Sequence, residues 1–284
     1  MHDDPTRLNF PSSGKAELPL MFEPQVLRCQ ARGPSGPPLT VLLDTGTDPS
    51  AIDIGLARRL GLRIGEFAPG HCAATDSVAF TETVLPWLRL GDLTLRNIFT
   101  LALDLRIIPF PVDIVLGYNV LWQVVLHIDY ARRRLHLVHP DLGPLAGPGE
   151  LLPLTFFEHF PALTDVRVCY DALPLATIDT GSNGGLTLSP DLAARLGLER
   201  TADDVTVGEG SGFGGRCEVL QGVADSLSIG PFTLRHVELD TPGNGTGDLS
   251  RQGRANIGNR LLARFASVTL DYQRKQCRIT PAAP

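Results

Sequence analysis

The chain has 284 residues, 43% hydrophobic and 20% charged, with a formal net charge of −6. That length holds one large domain or two of about 140 residues, and the balance is that of a folded chain, not a disordered one. The acidic charge gives no footing for nucleic acid, and the longest apolar stretch, 112–130, is broken by Asp113, Asn119, Gln123, His127 and Asp129, so no membrane span is expected.

With 29 Gly and 23 Pro, the chain favours many short segments joined by turns. It opens on Met1-His2-Asp3-Asp4-Pro5, which has neither the basic nor the apolar part of an export signal. The compartment stays open: exported or periplasmic if a signal was removed, otherwise cytoplasmic. Residues 40–43 read as a buried strand running into Asp44-Thr45-Gly46-Thr47. Asp53 then caps a short helix over 54–60 that Gly61 closes. Leu135-His136-Leu137-Val138 alternates as a half-buried strand, which puts His136 and His139 on opposite faces and argues against a shared metal. The Pro- and Gly-rich stretch 140–149 reads as a linker, dividing the chain into lobes 1–143 and 144–284. In the second half, 176–178 is a buried strand entering Asp179-Thr180-Gly181-Ser182. Ser189 and Pro190 start a helix that Gly197 ends, and 267–272 and 277–279 read as strands.

Several rival chemistries drop out. The glycines of 208–215 do not sit between a strand and a helix, so they make no dinucleotide loop. The chain has no Gly-x-Ser-x-Gly, His-Glu-x-x-His or Walker loop. Cys29, Cys72, Cys169, Cys217 and Cys277 lack zinc or thioredoxin-like spacing and read as small buried hydrophobes before a disulfide framework. Asn244-Gly245-Thr246 fits a glycosylation acceptor but reads more simply as a turn.

The chain repeats itself once. Val41-Leu42-Leu43-Asp44-Thr45-Gly46-Thr47 returns 135 residues later as Ala176-Thr177-Ile178-Asp179-Thr180-Gly181-Ser182. Ala57-Arg58-Arg59-Leu60-Gly61-Leu62 returns as Ala193-Ala194-Arg195-Leu196-Gly197-Leu198, and Leu90-Gly91-Asp92-Leu93 as Ile229-Gly230-Pro231-Phe232. Leu116-Gly117 with Asp129-Tyr130 matches Ile257-Gly258 with Asp271-Tyr272. Four blocks in one order, at slowly growing offsets, mean a duplication and two similar, mostly β lobes.

Each Asp-Thr-Gly presents a carboxylate at a tight turn, where a glycine leaves the backbone N–H free to face it. Two such carboxylates brought together cannot both ionise and share one proton. The charged one can deprotonate a water while the other donates to a carbonyl oxygen.

On Asp44-Thr45-Gly46-Thr47, Asp179-Thr180-Gly181-Ser182 and the apolar-Gly elements at Gly117 and Gly258, the sequence resembles the aspartic proteases of the pepsin and retropepsin type, in their single-chain, two-lobe bacterial form. The resemblance implies an all-β fold of two retropepsin-like β-barrel lobes about a pseudo-twofold axis, each with a short helix, the active-site cleft between them. It implies Asp44 and Asp179 as the catalytic dyad and Thr45 and Thr180 reaching across to the opposite lobe. It also implies Gly46, Gly181, Gly117 and Gly258 as support of the catalytic loops. Thr47 and Ser182 are each expected to donate to the outer oxygen of the neighbouring carboxylate, which favours activity at acidic pH. Flap candidates are Ala73, Ala74 and Thr75 in the first lobe and Gly210, Ser211, Gly212 and Phe213 in the second. The first lacks the flap tyrosine of pepsins, and Asn256 stands where the family usually has an aliphatic residue. Asp48 is read as either a substrate contact or a solvated turn residue. The implied activity is that of an endopeptidase on polypeptide substrates, with no metal or cofactor and with one chain sufficient for the site. The alternative is an inactive peptide-binding module on the same fold.

Overall fold

A computed structural model describes residues 4–70, 78–143, 147–198, 205–212, 215–243 and 247–283. The flap candidates Ala73, Ala74, Thr75 and Phe213, and also Cys72 and Asn244-Gly245-Thr246, lie outside the described residues.

Strands dominate, and the same pairing scheme occurs twice. In the first lobe Leu39–Leu43 runs parallel to Ile114–Leu116, which is antiparallel to Ser50–Asp53, which in turn runs parallel to Leu93–Leu103. In the second, Ala176–Ile178, Ala255–Ile257, Leu186–Leu188 and Phe232–Pro242 pair in the same senses. The strands entering each Asp-Thr-Gly are mostly apolar because neighbours cover both faces, with Thr40 and Thr177 the polar members; Leu43 and Ile178 are enclosed.

The repeated Leu-Gly and Ile-Gly blocks turn out to be hairpin bends. Val78–Leu90 meets Leu93–Leu103 with Leu90 opposite Leu93, and Gly215–Ile229 meets Phe232–Pro242 with Ile229 opposite Phe232. Gly91 and Gly230 both take positive φ there, the conformation glycine adopts without a Cβ penalty.

A six-stranded sheet joins the halves: Glu150–Pro153, Gln276–Pro281, Phe265–Asp271, Val125–Asp129, Arg134–Val138 and Lys15–Pro19 in spatial order. At its centre Val125–Asp129 from the first lobe pairs with Phe265–Asp271 from the second, His127 opposite Thr269. Asp129 and Asp271 anchor the turns that follow them, each accepting the backbone N–H three residues on and an arginine, Arg132 or Arg274.

The expected helices are present at Ile54–Arg59 and Pro190–Arg195. Asp53 caps the first through the Leu56 N–H at 2.9 Å. Ser189 does not cap the second; its hydroxyl donates to Asp191 and accepts the Arg254 N–H. Each lobe also carries a single-turn helix beyond the one expected, Tyr118–Leu121 and Asn259–Leu262, directly after Gly117 and Gly258. Four residues are too few to display a 3.6-residue period, which is why the pattern missed them. Within 140–149, Pro140–Leu142 forms a 3-10 turn and Glu150 already begins a strand. Cys29 and Cys277 are fully buried thiols, in keeping with their reading as small hydrophobes. Among the described residues no helix is long and apolar enough to cross a membrane, and no cluster of three metal-ligating side chains occurs.

Candidate active site

The two strand ends bring their loops face to face between the lobes. The Asp44 N–H donates to Leu116 O and the Asp179 N–H to Ile257 O, both at 2.9 Å, so each Asp is held at the end of the parallel pair that precedes it. The next residues lock the lobes together. Thr45 N donates to Thr180 Oγ1 and Thr180 N to Thr45 Oγ1, both at 3.1 Å. The two hydroxyls donate onward across the interface, Thr45 to Ile178 O at 2.6 Å and Thr180 to Leu43 O at 2.8 Å. All four bonds are buried, so none is diluted by water.

The glycines close the geometry. A Cβ at Gly46 would lie 2.8 Å from Asp179 Cγ, and one at Gly181 would lie 2.3 Å from Asp44 Cγ. Each loop therefore packs its bare glycine against the other lobe's carboxyl, and this brings Asp44 and Asp179 near enough for the charge of Asp179 to act on Asp44. Gly117 and Gly258 sit behind the loops: a Cβ on either would fall about as close as 2.4 Å to Thr47 O or 2.5 Å to Gly184 O. From the helices they introduce, Tyr118 N donates to Thr47 O and Asn259 N to Ser182 O.

The two carboxylates are not dressed alike. Asp44 accepts the Gly46 N–H at 2.8 Å on Oδ1 and the Thr47 hydroxyl at 2.6 Å on Oδ2. Asp179 accepts the N–H groups of Gly181 and Ser182 on Oδ1 at 2.9 and 3.0 Å. The Ser182 hydroxyl does not reach the outer oxygen of Asp179, contrary to the expectation from its position after Asp-Thr-Gly. It accepts the Gly184 N–H instead, and the outer oxygen takes the side-chain amide of Asn256 at 2.9 Å. Burial, and then the charge of Asp179 beside it, push the Asp44 carboxyl well above the usual carboxylate range; the bonds from Thr47 and Gly46 offset part of this.

Other residues of the site were not singled out for it in the sequence, although Tyr130 and Tyr272 belong to the repeat. Asn259 Nδ2 donates to Thr180 O at 2.6 Å while its Oδ1 accepts the Tyr130 hydroxyl from the first lobe at 2.8 Å. In the first lobe Ser50 takes over the role of a brace: its hydroxyl accepts the Gly117 N–H and donates to Asn119. Tyr272, matching Tyr130, is buried near Asp44 and leans on Tyr118, with ring centroids 6.1 Å apart. Asp48 sits exposed on a bend, in keeping with a solvated turn residue, and it also has a partner. It accepts a hydrogen bond from His159, on the hairpin of Thr155–Phe157 and Phe160–Leu163 in the second lobe.

Of the flap candidates, Gly210, Ser211 and Gly212 lie on Thr206–Gly212, one arm of a hairpin with Gly215–Ile229. In the first lobe Ala68–Gly70 pairs with the start of Val78–Leu90 on either side of the undescribed stretch.

Against protein-family models, the chain matches the one described as Aspartyl protease over residues 33–120 and again over 172–250, one match per half and together more than half its length. No curated protein matches it.

Proposed function

The chain belongs to the aspartyl protease family, and from that premise we propose that it is an aspartic endopeptidase in which Asp44 and Asp179 share one proton and activate a water between them. The observation that carries the reading is the packing of each Asp-Thr-Gly glycine against the other lobe's carboxyl, Gly46 against Asp179 and Gly181 against Asp44, across the lobe interface. A peptide in extended form lies in the cleft, held by strand-like backbone hydrogen bonds with side chains in alternating pockets.

The chemistry follows from the pair. Two carboxyls in contact in a buried site cannot both ionise. The ionised one takes a proton from water as the oxygen attacks the scissile carbonyl carbon, and the protonated one gives its proton to the carbonyl oxygen. The tetrahedral diol then collapses: the proton that the base took from water passes to the amide nitrogen, the C–N bond breaks, and one hydroxyl proton of the diol moves to the other carboxylate, which restores the single shared proton. Thr45, Thr180, Gly46, Gly181, Gly117 and Gly258 hold the loops at the spacing this requires. We place the division between lobes at 143/144. Because one chain supplies both Asp-Thr-Gly loops, a monomer suffices.

Digestion of a mixed peptide library from acid to neutral pH, with and without pepstatin and beside Asp44→Asn, tests the proposal. Cleavage lost in the variant supports the endopeptidase. Intact peptides at every pH, with measurable binding, would instead make the chain a peptide-binding module.

A further inference from the structure

The strands behind the two Asp residues are equivalent in register but not in chemistry. In the first lobe Leu42 lies beside Val115; in the second Thr177 lies beside Asn256. Leu42 and Val115 belong to an apolar cluster with Val26, Ala51, Leu103 and Leu105. Asn256 is just as buried, at 3% exposure, yet carries a primary amide.

Both ends of that amide are hydrogen-bonded. Thr177 donates its hydroxyl to Asn256 Oδ1 at 2.7 Å, and Asn256 Nδ2 donates to Asp179 Oδ2 at 2.9 Å. The hydroxyl orients the amide oxygen, so the NH2 end is the one that faces Asp179. An NH2 group can only donate, and it bonds more strongly to an ionised carboxylate oxygen than to a protonated carboxyl. The Thr47 hydroxyl on Asp44 Oδ2 is different, since a hydroxyl donates or accepts and tolerates either protonation state. Asp179 thus receives three N–H donors, from Gly181, Ser182 and Asn256, and Asp44 receives one N–H and one adaptable hydroxyl.

We propose that Asn256 is a positioning residue that breaks the symmetry of the dyad: it holds Asp179 as the carboxylate that deprotonates water and leaves the shared proton on Asp44, the acid that donates to the carbonyl. Hydrogen bonds to the charged form stabilise it, and a buried donor that cannot turn over gives the protonated form less. The upward push on Asp44 by burial and by Asp179 runs the same way. The other titratable groups nearby are Tyr272, whose phenol burial keeps protonated, and Asp240, beyond Gly184 and Thr187. The assignment of roles rests on the proposed peptidase reading; the assignment of the proton does not.

The test transplants the first lobe's pair into the second, Thr177→Leu with Asn256→Val, and adds the milder Asn256→Thr should the double variant fail to fold. The first readout is titration of the aspartate carboxyl carbons by NMR, with signals assigned from Asp44→Asn and Asp179→Asn. The lower apparent pKa of the pair is expected to rise by about one unit or more on loss of the amide donor. The second is the pH dependence of kcat/KM, whose acid limb is expected to move upward by the same amount, and by less in Asn256→Thr. A purely structural role would lower kcat at every pH and leave both titrations in place, and that result overturns the inference. Wild-type protein that cleaves nothing refutes the peptidase reading, while the carboxyl titration still decides the role of Asn256.

Discussion

His159 of the second lobe donates a hydrogen bond to Asp48 of the first, and its ring stacks on Tyr118 with centroids 4.3 Å apart and planes within 4°. Asp48 comes four residues after Asp44, so this contact joins the outer rim of one Asp loop to the opposite lobe. With His159 about half exposed, the pair is worth on the order of 1 kcal/mol or less. Asp48→Asn, His159→Ala and the double variant, compared by denaturant unfolding, are expected to give a coupling of that size. A coupling near zero would mean that the stacking on Tyr118, and not the carboxylate, holds the ring.

The threonine lock should matter far more. Thr45→Ala leaves Thr180 N–H and Ile178 C=O without their partners in a buried interface. The expected cost is about 2–6 kcal/mol, from two orphaned backbone groups at about 1–3 kcal/mol each. Thr45→Ser, which keeps the hydroxyl, is expected to recover most of it. Urea unfolding of the two variants checks this, and equal losses would show that the methyl group and not the hydroxyl carries the contact.

Gly181→Ala puts a Cβ closer to the opposite carboxyl than Gly46→Ala does, 2.3 against 2.8 Å from Cγ. Both force the pair apart, and a displacement of about 1 Å at reacting groups costs roughly 100-fold in rate. Gly181→Ala is expected to lose at least that much in kcat, with Gly46→Ala the milder of the two. Single-turnover rates on a cleavable peptide rank them.

Asp44 also makes a stability prediction with a definite sign. Its folded-state pKa is raised above the unfolded value, mainly by burial, so the folded protein binds the extra proton and loses stability as pH climbs from the unfolded pKa toward the folded one. Asp44→Asn, which mimics the protonated acid, should therefore melt higher than wild type at neutral pH. The advantage grows by about 1.4 kcal/mol for each pH unit above the unfolded pKa until the folded pKa is reached, and it vanishes below the unfolded pKa. Calorimetry at neutral and strongly acidic pH measures it; a variant less stable than wild type at neutral pH would show that the ionised Asp44 is well solvated in the fold.

The duplication, the two Asp-Thr-Gly loops, the strands entering them and the helices after Asp53 and Ser189 were legible in the residues because each is a local pattern. Strand alternation, a capping carboxylate and a glycine at a bend act over a few positions, and the repeat doubled every signal. Asn256 appeared only as a departure from an apolar strand. Its meaning depends on Asp179, 77 positions away, and on Thr177 turning its amide. Asp48 and His159, separated by 111 positions, carried no signal of each other at all. Such pairings exist only after the lobes have packed, because packing decides which donor meets which lone pair once water is excluded.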